Sequence, residues 1–276
     1  MSIYYIDPAG NDTTGDGSSG SPWATVSKAN TETTTGDTVI LKDGTYTIST
    51  INLSNSVTWQ AENNNLAILD GAGAEVRIKF VADTEMIGIN FTNIVNSTLA
   101  VFERQSTGIT VTFTNCKIYD IVISPDRGDA LFTFTVANLT FTSCLIYNIS
   151  TTTYTSTCSM FYMSNGSNHT FNNCVIHQNN SGNANIYSFF EALVSTVYVN
   201  MKNTIILNDG DTMTLFKGYA GGDFTKDLTY SDFYGTGLSA QAGTGNITSD
   251  PLFVDPPNSD FRLRQSSPCL DTGTII

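Results

Sequence analysis

Apolar and polar positions alternate in short bursts through the middle of the chain. One such burst is written five times: FTNCKIYDI (113–121), FTSCLIYNI (141–149), FNNCVIHQN (171–179), MKNTIILND (201–209) and LTYSDFYG (228–235). Aligned on their fourth positions, Cys116, Cys144, Cys174, Thr204 and Ser231 succeed one another at intervals of 28, 30, 30 and 27 residues. Within each copy the period is two, with Phe113, Cys116 and Ile118 set against Thr114, Lys117 and Tyr119 and a break at Asn115. This alternation sends one set of side chains indoors and the other to the surface of a strand. Asn115, Ser143, Asn173 and Asn203 occupy the break. Asparagine accepts the left-handed backbone of a sharp bend, and its amide can bond to its counterpart one coil away. A repeat of this length, made of short β-runs and little else, predicts a stacked β-coil whose equivalent positions lie ~4.8 Å apart.

The flanks are less regular. A strand is predicted at 3–6, followed by a polar loop and a short helix with Ser21 as N-cap and Pro22 at its first position. This opening is placed to cap the first coil. Further strands are expected at 39–41, 57–60, 67–69 and 86–91, with Asp43-Gly44 as a turn. Ile89-Asn90-Phe91 fits the template of Cys116-Lys117-Ile118, one coil earlier. The domain reading is one continuous unit: an N-terminal cap at 1–38, parallel coils at 39–248, and a C-terminal coil and tail at 249–276. Long connections at 122–136, 150–167, 178–192 and 209–226 are expected to gather on one face, which in solenoids is often the binding face.

Two stretches carry a resemblance. The opening YYIDPAGND (4–12), SPWATVSKA (21–29) and GDTVILKDGTY (36–46) is similar to the start of right-handed parallel β-helix proteins of the pectate-lyase-like superfamily. The close, SDPLFVDPPNSDFRLRQSSPCLDTG (249–273), resembles the final coil and tail of such proteins from bacteria and their phages. The fold class read from repeat and resemblance together is all-β: a single-stranded right-handed parallel β-helix, or β-solenoid, with a small N-terminal strand-helix cap. The resemblance implies lyases, hydrolases, epimerases, adhesins or phage virion proteins, since one scaffold hosts many activities.

Composition narrows the partners. Only 13% of the 276 residues are charged, the net charge is −13, and such a surface repels nucleic acid and anionic membranes. No apolar run is long enough for a membrane helix, and MSIYYIDPAG has neither the basic nor the apolar region of a signal peptide. The five cysteines include no C-x-x-C pair, and the three at the same rung read as small buried hydrophobes.

Candidate chemistry is sparse. Tyr119, Tyr147 and His177, followed by Leu207 and Tyr234, form an outward ladder on which sugar rings could stack, with Asp120, Asn148, Gln178 and Asn208 beside it; equally, the ladder could be covered by loops or by another subunit. Asp126, Asp129, Glu191, Asp209 and Asp211 lie in or beside the long connections and are the carboxylates from which a glycosidase pair could be drawn; solvated loop acids are the simpler account. Asp12 and Asp16, among glycines, are the candidates for a metal; a metal-free turn is the alternative. No cofactor is otherwise called for, Ca²⁺ being the ion that lyases of this resemblance commonly take. His169 is expected to face solvent, and none of the sparse basic residues of the repetitive half sits beside a stacked Asp cluster.

These features favour a non-enzymatic surface protein, a phage virion component such as a capsid decoration, head fibre or tail adhesin with carbohydrate recognition. Its partners would be other virion subunits, further copies of itself or a surface polysaccharide, and its location a virion surface or the cell exterior. The alternative is a polysaccharide lyase or glycoside hydrolase acting on a cell-surface polysaccharide. An enzyme requires two carboxylates, or a carboxylate and a base, facing each other.

Overall fold

The computed structural model describes residues 1–96, 100–123, 130–151, 158–178, 186–210 and 212–273. The chain winds through three parallel sheets. Sheet one has nine strands from Ile3–Ile6 to Asp223–Thr229, sheet two seven from Ile51–Leu53 to Thr214–Tyr219, and sheet three eight from Gly44–Thr47 to Asp232–Gly235. One coil shows the plan: Thr110–Thr114 in sheet one, a bend, Lys117–Ile123 in sheet three, a connection, then Ala130–Thr135 in sheet two before the next coil begins at Asn138. Every strand of these three sheets pairs in parallel with its equivalent one coil away, as in Phe113↔Phe141↔Phe171↔Met201. The winding is that of a right-handed parallel β-solenoid.

The core follows from the period-two pattern. Phe113, Phe141 and Phe171 stack from sheet one with ring centroids 5.0 and 5.3 Å apart. Phe102, Phe132, Phe161, Phe190 and Phe216 stack from sheet two at 4.6, 5.1, 5.1 and 5.3 Å. The two columns meet edge to face, as Phe132 does Phe141 at 5.1 Å. Aromatic pairs in these geometries add roughly 0.5–1.5 kcal/mol beyond the area they bury.

The bend is built as its residues require. Asn115, Ser143, Asn173 and Asn203 all have φ between 53 and 55°, and the Asn203 amide donates to Asn173 Oδ1 at 3.0 Å. Immediately inside it, Cys116, Cys144 and Cys174 are buried and free. The Cys144 thiol donates to the Phe113 carbonyl at 3.3 Å, and two coils on the Thr204 hydroxyl makes the equivalent bond to Phe171 at 3.0 Å. A hydroxyl therefore replaces a thiol in the column without a lost partner.

The N-terminal helix begins later than the sequence suggested, at Val26–Glu32 with Thr25 as N-cap, its hydroxyl accepting from Lys28 N at 3.0 Å. Asp12 explains the shift. Its carboxylate takes the Ala24 and Thr25 amides at 2.7 and 3.1 Å, while Trp23 N bonds to the Tyr5 carbonyl, so 22–24 stay outside the helix. Val26 and Ala29 bury the helix's inner face over the first coil. At the other end the tail adds no coil: Phe253–Asp255 and Asp260–Leu263 pair antiparallel and turn back along the outside of sheet three. The last strand of sheet one places Lys226 over the Phe216 ring, 4.8 Å from its centroid, across the exposed end of the core.

His169 corrects an expectation. It lies in register between Leu139 and Val199, both inward, and is fully buried with Nε2 2.8 Å from Ser167 Oγ. Burial lowers its pKa to about 3.

Candidate functional site on sheet two

The aromatic ladder of sheet three exists as a register row, Tyr119↔Tyr147↔His177↔Leu207↔Tyr234. Tyr119 and Tyr147 stack with centroids 5.1 Å apart and planes 4° from parallel. The returning tail lies on it: Phe261 packs against Tyr147 at 5.1 Å and His177 at 5.3 Å. Tyr147 and His177 are thereby buried, and Tyr119 alone of the three keeps a half-exposed ring. His177 Nε2 lies 2.9 Å from Asp209 Oδ2, so that carboxylate serves the ladder. Gln178 and Asn208 turn inward and bond to the backbone carbonyls of Ile149 and Thr236.

Asp126, Asp129 and Asp211 lie outside the described residues. Asp12 spends both oxygens on Ala24, Thr25 and the Thr25 hydroxyl, and Asp16 accepts from Ser18 N at 2.9 Å. Among the described residues no group of three or more potential metal ligands comes together.

Sheet two brings together what the sequence kept apart. In each of five coils an inward phenylalanine, buried in the first four and partly buried at Phe216, is followed by an outward residue: Phe102-Glu103, Phe132-Thr133, Phe161-Tyr162, Phe190-Glu191 and Phe216-Lys217. With Lys79 below, these form one row in register: Lys79↔Glu103↔Thr133↔Tyr162↔Glu191↔Lys217. Glu191 is thus held between a phenol and an ammonium, each about one strand spacing away, ~4.8 Å. Burial pushes the Glu191 carboxyl above its usual range, and Lys217 pulls it partway back. Burial, with Glu191's charge adding to it, raises the Tyr162 pKa and keeps the phenol protonated.

Lower on the row, Glu103 is nearly inaccessible and anchors cations. Its Oε2 accepts from Arg77 at 2.5 Å, and Oε1 lies 3.8 Å from Lys79 Nζ and 2.6 Å from the Gln105 amide. Two cations against one carboxylate leave a net positive spot on a chain of net charge −13. Such donors do not suit Ca²⁺, which wants several carboxylate and carbonyl oxygens free of cationic neighbours.

Sequence reading reached only Glu191 in this row. The signal was the repeated polar residue after each sheet-two phenylalanine, masked because connections of varying length precede it. The fold also sets Lys217 beside Glu191, and Arg77 and Lys79 beside Glu103, pairings that no spacing in the sequence shows.

No family model matches the chain, and no curated protein matches it. Among solved structures, a rhamnogalacturonan lyase is similar with a TM-score of 0.55 at 18% identity, over 86% of this chain and 69% of that one. A mannuronic acid-specific polysaccharide family 6 lyase from human gut microbiota is similar with a TM-score of 0.54 at 15% identity, over 89% of this chain and 59% of that one. This chain therefore spans about three-fifths of the second enzyme's length. Both of these structures are of polysaccharide lyases, and this likeness overturns the expectation of a non-enzymatic virion component; the capsid, fibre and virion-subunit roles are not retained. No helix among the described residues is long and apolar enough to cross a membrane. Coil register, stacked interior and these likenesses agree that the chain has a right-handed parallel β-helix fold, as those two lyases do.

Proposed function

We propose that the chain is a polysaccharide lyase that cleaves uronate-containing glycans by β-elimination on the outward face of sheet two. One observation carries this reading: Tyr162, Glu191 and Lys217 succeed one another on adjacent coils of one face. Glu191, its pKa raised by burial, is the base that takes the proton α to the uronate carboxylate. The electron pair left behind forms the ring double bond and expels the glycosidic oxygen, which takes the proton of the Tyr162 phenol. Lys217 faces the substrate carboxylate and offsets the charge that builds there before the C–O bond breaks. Arg77 and Lys79, fixed by Glu103 about two strand spacings below Tyr162, roughly 10 Å, hold a neighbouring uronate. The lyases similar in fold are named for rhamnogalacturonan and mannuronic acid, in keeping with an acidic polysaccharide.

Hydrolysis is less well served. Glu103 and Glu191 stand three strands apart, roughly 14 Å, well beyond the ~5–9.5 Å that separates glycosidase carboxylates. The test is to incubate the protein with polygalacturonate, mannuronate-rich alginate and rhamnogalacturonan and follow the ultraviolet absorbance of the unsaturated product. Absorbance should rise on at least one polymer and fall by about 10²–10⁴-fold in Glu191→Gln and Tyr162→Phe. New reducing ends without unsaturation, or full rates in both variants, would overturn the assignment.

A further inference from the structure

The outward face of sheet one carries a second, different row. Thr38, Thr58, Glu85, Thr112, Thr140, Thr170, Asn200 and Asp227 follow one another in register over eight coils, without an apolar member. Beside it runs a parallel row of Thr114, Thr142, Asn172 and Lys202. Threonine suits any strand, so its presence alone means little. Three further features set this face apart. Among the described residues, the Thr112, Thr140 and Thr170 hydroxyls have no side-chain hydrogen bond within the chain, although Thr58 bonds to Glu85 at 3.3 Å and Asn200 to Asn168 at 2.7 Å. At its lower end the row runs into an open groove of about 450 Å³, lined by Thr38, Ser56, Thr58, Asp83, Glu85 and Thr112. At its upper end Tyr198, 45% exposed, presents a ring one coil above Asn168.

We propose that this face is a glycan-docking track, separate from the sheet-two row, for an uncharged polysaccharide strand lying along the solenoid axis. The period is the first reason. Donors and acceptors recur every ~4.8 Å, close to the advance of one sugar in an extended β-1,4-linked chain, so successive sugars meet equivalent side chains on successive coils. Charge is the second. Asp83 and Glu85 in the groove and Asp227 above face a single lysine, Lys202, which repels a uronate chain but lets sugar hydroxyls donate to carboxylates. The mixed donor and acceptor character of threonine and asparagine suits hydroxyls of either sense, and Tyr198 gives one ring a face to stack on. The track does not depend on the elimination proposed for sheet two. If both hold, the sheets divide a heteropolymer between them, acidic stretches on one and neutral stretches on the other.

Affinity electrophoresis tests it, with gels containing β-1,4-xylan, β-1,4-galactan or glucomannan and a polygalacturonate gel as anionic comparator. The native chain should be retarded by at least one neutral glycan. The variant carrying Thr112→Val, Thr140→Val and Thr170→Val keeps side-chain shape and branching, so it should melt as the native chain does while binding that glycan about tenfold more weakly or worse. Restoring hydroxyls as Thr112→Ser, Thr140→Ser and Thr170→Ser should restore retardation. Glu191→Gln should lose uronate cleavage and keep retardation by the neutral glycan, which separates failure here from failure on sheet two. No retardation by any neutral glycan, equal retardation of the valine variant, or loss of neutral-glycan retardation in Glu191→Gln would overturn the track.

Discussion

Glu191 pairs across sheet two with Tyr162, twenty-nine residues earlier, and both side chains leave the same face although their neighbours Phe190 and Phe161 stack inside at 5.1 Å. The stacked rings fix the register, and the register fixes the distance between acid and phenol. The chemistry of this face is therefore set by its core.

Activity should rise with pH through the raised pKa of Glu191, because only the carboxylate can accept the proton. Lys217 lowers that pKa, so Lys217→Met should move the acidic limb of the kcat/KM profile to higher pH as well as reduce the rate. A limb that stays in place while the rate falls would assign Lys217 to substrate binding alone.

Acid should unfold the chain partly through His169. Its pKa is depressed in the fold to about 3 from an ordinary 6.5, so the unfolded chain binds the proton first. The stability contributed is complete above ~6.5 and is lost as pH falls towards ~3, amounting to a few kcal/mol, on the order of the linkage for a buried neutral group. In His169→Leu, which matches Leu139 one coil below, chemical denaturation midpoints should fall less steeply between neutral and acid pH.

Val194 holds φ at 63° while 57% exposed, a left-handed backbone that a β-branched side chain resists. Val194→Gly removes that strain and little packing. A gain of about 1 kcal/mol is expected, read as a higher denaturation midpoint.

Phe132, in the sheet-two column, touches Phe102 and Phe161 of its own column and Phe113 and Phe141 of the other. Phe132→Ala should cost ~3–5 kcal/mol. It should also depress elimination by displacing Thr133 and its neighbours on the outward row, so denaturation and cleavage rates should be measured on the same preparation.

Much of the architecture is legible in the chain. Cys116, Cys144 and Cys174 announced the rung, Asn115 and its counterparts the bend, and the intervals between them the coil. These are local signals, because a period-two strand and a left-handed corner are settled by a few adjacent residues. The helix does not start at Ser21 because Asp12, nine residues upstream, holds the Ala24 and Thr25 amides that decide it. His169 was misplaced because a polar residue at an inward position is told from an outward one only by its register partners.

The winding is written locally along the chain, in the repeat, the buried set of each strand and the bend that joins sheet one to sheet three. The surfaces are assembled by the fold. Connections of unequal length separate Glu103, Tyr162, Glu191 and Lys217 along the chain, and stacking alone brings them into one row. The same stacking assembled the threonine row of sheet one, while the returning tail laid Phe261 over Tyr147 and His177. Contacts between coils depend on register summed over whole turns, and a tail folds back on whichever face its aromatic side chains can bury.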